Sequence, residues 1–121
     1  MTTATKEPRL EITERAEQIK ELASIISHLH RCYDRLSDSE QRKAVAITAA
    51  LLDRDAAKLS EKDGAKYAWA LYAASAHYFA LAGDKKNGRE VYETAKRLAL
   101  EQRINLDNMF RDTKARLEAQ A

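Results

Sequence analysis

Apolar residues recur at three- and four-residue steps along most of this chain, and no segment alternates with period two over β-branched residues. The first periodic run places Ile19, Leu22, Ile26, Leu29, Tyr33 and Leu36 on one face of a helix over residues 10–36, and Ile12, Ala16 and Ala23 extend that face toward its start. At 1.5 Å per residue such a helix is about 40 Å long. Ser37-Asp38-Ser39-Glu40 then reads as a stop and restart. Ser37 and Glu40 have capping-box spacing, and Asp38 or Ser39 serves equally well as a cap. A second helix follows to about residue 59, with Ala44, Ile47, Leu51 and Leu52 expected to face inward. Ser60 and Asp63 have N-cap character, which sets a third helix from about residue 64 to 82. Gly83 suits the left-handed position after a helix end, and Asp84 caps a fourth helix running to about residue 102. A turn over 103–107 leads into a closing helix with Leu106, Met109, Phe110, Thr113 and Leu117 along one side.

About five helices joined by loops of a few residues imply antiparallel neighbours, so the expected fold is an all-α small bundle. Residues 1–9 are small, polar and end near the single Pro8, which reads as a disordered tail before one domain over 10–121. One proline and three glycines in 121 residues agree with long helices and short connections.

Within that frame the third and fourth helices form a tight hairpin on Gly83-Asp84. Tyr72, Ala76 and Phe79 on one helix would meet Tyr92 and Ala95 on the other, the alanines allowing close approach and the aromatics filling the remaining space. This spacing resembles a tetratricopeptide (TPR) repeat, a helix–turn–helix unit of about 34 residues. Registered on the turn, Tyr72, Phe79 and Tyr92 fall at the family's aromatic sites, and Ala76 and Ala95 at its small-residue sites. Ser75 stands where a Leu is usual, Gly88 where an Ala is usual, and Leu100 where a Pro often closes the repeat. The resemblance covers about one quarter of the chain, residues 70–100, with no second copy at the family's offset. It implies a peptide groove lined by the third helix, at Ala70, Ala73, His77, Ala80 and Leu81. Since those positions are mostly Ala, a shallow apolar groove for a partner helix is expected in place of the family's cationic clamp. A second stripe on the same helix, Tyr67, Leu71, Ala74, Tyr78 and Leu81, is either bundle core or, with Trp69 as its hot-spot region, a surface for a partner or a second copy.

The remaining chemistry narrows the function. His28 and Cys32 share a helix face, but His30 points elsewhere and no second Cys exists, so no metal site is expected. His77 as a phosphoacceptor lacks the Lys and Gly that usually follow one. Ser75 and His77 cannot meet at a separation of two on a helix, Asp53 and Asp55 lie in a charged stretch read as a solvated face, and no Gly-rich phosphate loop is present. The chain therefore reads as a non-enzyme without cofactor. A formal net charge of +2 argues against nucleic acid as the main partner. The alternative basic surface would be Lys85, Lys86, Arg89, Lys96, Arg97 and Arg103, interleaved with Glu90, Glu93 and Glu101. The longest run free of charged residues, 67–82, is too short for a membrane span, the first residues lack the apolar core of a secretory signal, and a single Cys fits a reducing compartment. The expectation is a cytoplasmic module that binds another protein, as an adaptor, small chaperone or inhibitor. Homodimer formation is a further expectation.

Overall fold

The computed structural model of the chain describes residues 8–119, with side chains from Glu14 onward. Six helices make up the described residues: α1 (Pro8–Arg35), α2 (Ser39–Lys62), α3 (Ala68–Leu81), α4 (Lys85–Glu101), α5 (Leu106–Met109) and α6 (Arg111–Glu118). The all-α bundle expected from periodicity is what forms. Of the tail expected over 1–9, residues 1–7 lie outside the described part. Pro8 and Arg9 belong to α1, in keeping with the preference for proline at a first helical position, where its missing N–H costs nothing. The single closing helix is divided at Phe110, whose extended φ of −121° interrupts the helical geometry between α5 and α6.

The junctions follow local chemistry. Asp38 caps α2 by accepting the Gln41 N–H at 2.9 Å, and Asp84 caps α4 by accepting the Asn87 N–H at 3.1 Å. At the α2–α3 junction, Ser60 and Asp63 do not cap the following helix as expected. Ser60 is buried in the last turn of α2, Asp63 ends that helix, and α3 starts after Tyr67 without a side-chain cap. The deciding residue is Gly64, at φ +70°. Helices α2, α3 and α4 all end in the same way, with a left-handed residue (Gly64, Gly83 and Arg103) followed by an N–H that reaches back five residues: Ala65 to Ser60, Asp84 to Phe79, Ile104 to Ala99. This is the Schellman arrangement, and it satisfies carbonyls that the helix ends would leave open.

Alanine dominates the core. In α2 the buried face is Ala46, Ala49, Ala50, Asp53, Ala56, Ala57 and Ser60; Ile47 packs half-buried against the core as expected, but the inward positions expected at Ala44, Leu51 and Leu52 are corrected, since Ala44 and Leu51 are exposed and Leu52 lies at the flank. Helix α2 runs between α1 and α3, and only small side chains allow close approach on that side. In α1, Ile26 is buried and Leu22, Leu29 and Tyr33 are half-buried, whereas Ala16 and Ala23 are exposed. Tyr72, Ala76, Phe79, Tyr92 and Ala95 are all buried between α3 and α4, and Ser75 donates to the Ala50 carbonyl at 2.7 Å, cross-linking α3 to α2. Gly88 is buried where α3, α4 and α6 converge. Beneath it α6 covers one end of the stack with Thr113 and Leu117, and the end of α6 is held by Lys85, which donates to the Ala119 carbonyl, and Arg89, which donates to the Leu117 carbonyl at 2.8 Å.

Candidate functional site

Helix α1 packs on α2, and α2 on α3, but α1 and α3 splay apart. Between them lies a groove of about 450 Å³. Its walls are Ile19, Ala23 and Ile26 of α1 and Leu71 and Ala74 of α3, with Tyr67 at its rim. The stripe Tyr67, Leu71, Ala74 and Tyr78 repeats at helical spacing, which aims it to this side of α3.

A polar pair sits at the floor. Asp53 of α2 is 1% exposed, and its Oδ2 lies 3.0 Å from His30 Nε2 of α1. Burial pushes the Asp53 carboxyl above the usual carboxylate range, and the hydrogen bond and charge of His30 offset part of that shift. The His30 ring stacks on Tyr78 at 4.3 Å between centroids, with 16° between planes. Tyr33 and His77 meet the same tyrosine edge-on, and His77 Nδ1 lies 3.1 Å from Thr113 Oγ1 of α6. Burial holds His77 below its ordinary value, with Arg116 acting in the same direction. Burial also raises Tyr78, with help from the negative charge of Asp34. The cluster thus ties α1, α2, α3 and α6 together around one aromatic ring.

The cluster holds a histidine oriented by a carboxylate, and the nearby nucleophile types are turned to other work. Ser27 accepts from Arg31 at 2.8 Å, and Cys32 pairs with His28 at 3.5 Å. Among the described residues, no group of three or more His, Cys, Asp or Glu is placed to hold a metal ion.

The candidate positions read from the sequence are divided by the fold. Tyr78 and His77 come together in the aromatic cluster. Ala73 is fully buried against the core, and Ala70, Ala80 and Leu81 are half-buried. Trp69 lies on another side of α3, beside Ala68, Leu98 and the Gly64 turn, away from the groove. The charged stretch predicts Asp53 and Asp55 on one solvated face, but two helical positions are about 200° apart, so Asp55 is exposed while Asp53 faces inward. The signal available in the sequence was its register with Ala46, Ala49, Ala50, Ala56 and Ala57. Of the basic positions, Lys85 and Arg89 close the end of α6, Lys96 pairs with Asp107 at 2.9 Å, and Arg97 faces Glu61 at 3.9 Å. Arg103 holds the left-handed turn after α4, and Lys86 is exposed. No helix among the described residues is long and apolar enough to cross a membrane.

Comparison with protein-family models, with curated proteins and with solved structures gives no match.

Proposed function

We propose that this chain is a non-enzymatic, cytoplasmic protein-interaction module with a TPR-like α3–α4 hairpin, serving as an adaptor, small chaperone or inhibitor. Its partner lays an apolar helical segment into the α1–α3 groove. The observation that supports this most is the groove itself, apolar on both walls with the His30–Asp53 pair at its floor. Apolar walls give area to bury, and a buried polar pair fixes the register of what enters. The binding positions then shift from Trp69, Ala70 and Ala73 to Tyr67, Leu71, Ala74 and Tyr78. The nucleic-acid reading has less support, because Lys85, Arg89, Lys96 and Arg97 already serve carbonyls and carboxylates of the same chain.

A tagged pull-down from the native host, quantified by mass spectrometry, tests the proposal with two variants. Ala23 is exposed at the groove wall, so Ala23→Arg fills the groove while leaving helicity intact. Tyr67 is 55% exposed, and Tyr67→Ala should weaken a genuine partner by about 2 kcal/mol if the ring is a hot spot. A protein recovered at near-equal amount by the wild type and lost by Ala23→Arg supports the groove. A partner that both variants retain overturns it, and nucleic acid recovered with steep salt dependence would revive the basic surface.

A further inference from the structure

The α1–α3 groove holds one group that an apolar occupant leaves unserved. Asp53 is 1% exposed at its floor, and of its two carboxyl oxygens only Oδ2 has a partner, His30 Nε2 at 3.0 Å. Oδ1 accepts no hydrogen bond among the described residues. The side-chain atoms there that are both sealed and unpartnered are Arg42 Nε, Arg54 Nε and Ser60 Oγ, so Oδ1 is not sealed and opens to the groove that Asp53 lines. Besides Asp53, the ionisable side chains lining the groove are His30 and, at the rim, Tyr67; no lysine or arginine of the described residues lines it. Burial disfavours the charge of Asp53, and the imidazoles that act on it, His30 of α1 and His77 of α3, offset this only in part.

While the groove is open, water serves Oδ1. A segment seated between Ile26 and Leu71 expels that water. A wholly apolar one would leave a carboxylate oxygen buried without a donor, which costs more than leaving a neutral group unpaired. The occupant therefore has to bring a donor, and a charged donor answers a carboxylate best. Arginine suits the position poorly. It presents five N–H donors in a fixed fork, and the acceptors lining the groove are few, with Ser27 Oγ already accepting from Arg31. A lysine fits better, because its unbranched stem lies along apolar walls while its compact ammonium reaches the floor.

We infer that the partner segment in the α1–α3 groove carries a lysine within its apolar stripe, and that the ammonium of this lysine binds Asp53 Oδ1. The inference rests on the groove being the partner site, as proposed above.

Three probes that share a six-carbon chain and differ in head group test it: n-hexylammonium, hexan-1-ol and hexanoate. Each is titrated into the full chain at about pH 8, where ordinary imidazoles are neutral, and followed by methyl NMR. The ammonium should shift the methyl groups of Ala23, Ile26, Leu71 and Ala74 with an affinity of about millimolar order. It should bind about tenfold tighter than hexan-1-ol, with hexanoate weaker still. In Asp53→Asn the preference for the ammonium should disappear while hexan-1-ol binds as before. The order of the three probes on the wild type carries the test even where Asp53→Asn fails to fold. Hexan-1-ol or hexanoate binding as tightly as the ammonium overturns the lysine and leaves the groove standing, and so does an ammonium preference retained in Asp53→Asn. Ammonium shifts confined to Ile25, beside Glu21 and Asp55 on the outer α1–α2 side, also overturn it. If no probe moves the groove methyl groups up to about 20 mM, the groove is no binding site and the lysine falls with it.

Discussion

Gly88→Ala is the substitution that most directly tests how α6 is seated. A methyl group built on Gly88 would lie 2.5 Å from Leu117 Cδ2 and 3.3 Å from Phe79 Cβ. Both neighbours are buried, Leu117 at 2% and Phe79 at 1% exposure, and Phe79 offers the stiffer contact because it is met at Cβ. Alanine would gain up to about 1 kcal/mol over glycine from helix propensity, less so in the first turn, where Gly88 sits. Overpacking a filled site costs about 1–3 kcal/mol. The net expectation is destabilisation by about 1–2 kcal/mol, taken up by displacement of α6 because the nearer contact is the tip of its side chain. Leu117→Ala alone should cost about 2–4 kcal/mol for a buried leucine. In the double variant the new methyl group no longer meets Leu117 and fills part of the space it left. The pair should therefore be less damaging than the sum of the singles by about 1–2 kcal/mol. Urea melts at 25 °C by far-ultraviolet circular dichroism give the three free energies, with unchanged slopes as the check on two-state behaviour. Amide exchange in Gly88→Ala should show lost protection concentrated over residues 111–118. Additivity within about 0.5 kcal/mol, or a Gly88→Ala variant stabilised by the full propensity gain, would refute the packing argument.

Three further expectations follow from particular contacts. Arg103 holds a left-handed turn at φ +60°, a conformation costly for a residue with a Cβ, so Arg103→Gly should stabilise the protein by about 0.5–1 kcal/mol, visible as a higher melting temperature. Asp53 has its pKa raised by burial above the 3.8 of a free side chain, so the folded state holds its proton more tightly than the unfolded chain does, and its contribution to stability declines as pH rises from about 4 through the folded value. The stability of Asp53→Asn relative to wild type should thus increase over that window and then level off, while a difference independent of pH would show Asp53 to be better solvated than its position implies. Asp107 accepts from Tyr92 Oη at 2.5 Å and pairs with Lys96 and Lys114, and these partners lower its pKa to about 2. Its stabilising effect is complete above about pH 4 and is lost as pH falls toward 2, so Tyr92→Phe should cost about 1–2 kcal/mol at pH 7 and much less near pH 2, measured by denaturant melts at both values.

Features decided by local chemistry are legible along the chain, and those decided by distant residues are not. Asp38, Gly83 and Asp84 act through neighbours three to five residues away, and their roles were legible. The Ser60–Gly64 stretch was ambiguous because serine and aspartate suit either side of a helix boundary. The left-handed glycine, which ends the preceding helix, settles the matter. Gly88 looked like a mere departure from an alanine position, since its reason is a leucine tip 29 residues further on. Likewise Asp53 reads as a surface charge until His30, 23 residues earlier, is brought beside it. The greatest error concerned size. Hydrophobic size favours Leu51 over its neighbouring alanines as an inward residue of α2, yet the alanines are buried and Leu51 is 37% exposed.

That inversion also accounts for the candidate site. Interaxial distance is set by the side chains at the contact, over a range of about 8–10 Å. Helices α2 and α3 meet largely through Ala50, Ala57, Ala73 and Ala76, which favours the close end of that range, whereas Tyr72, Phe79 and Tyr92 join the alanines between α3 and α4. Helix α1 meets α2 through Leu22, Ile26, Leu29 and Tyr33, which favours the far end. A layer held further out beside layers drawn close leaves α1 and α3 unable to touch across Ala23 and Ala74, two alanines facing space where larger residues would have met. The groove is therefore a consequence of where the chain puts its small side chains, and the same step at the edge of the core gives Asp53 a position deep enough to be buried and near enough to α1 to reach His30.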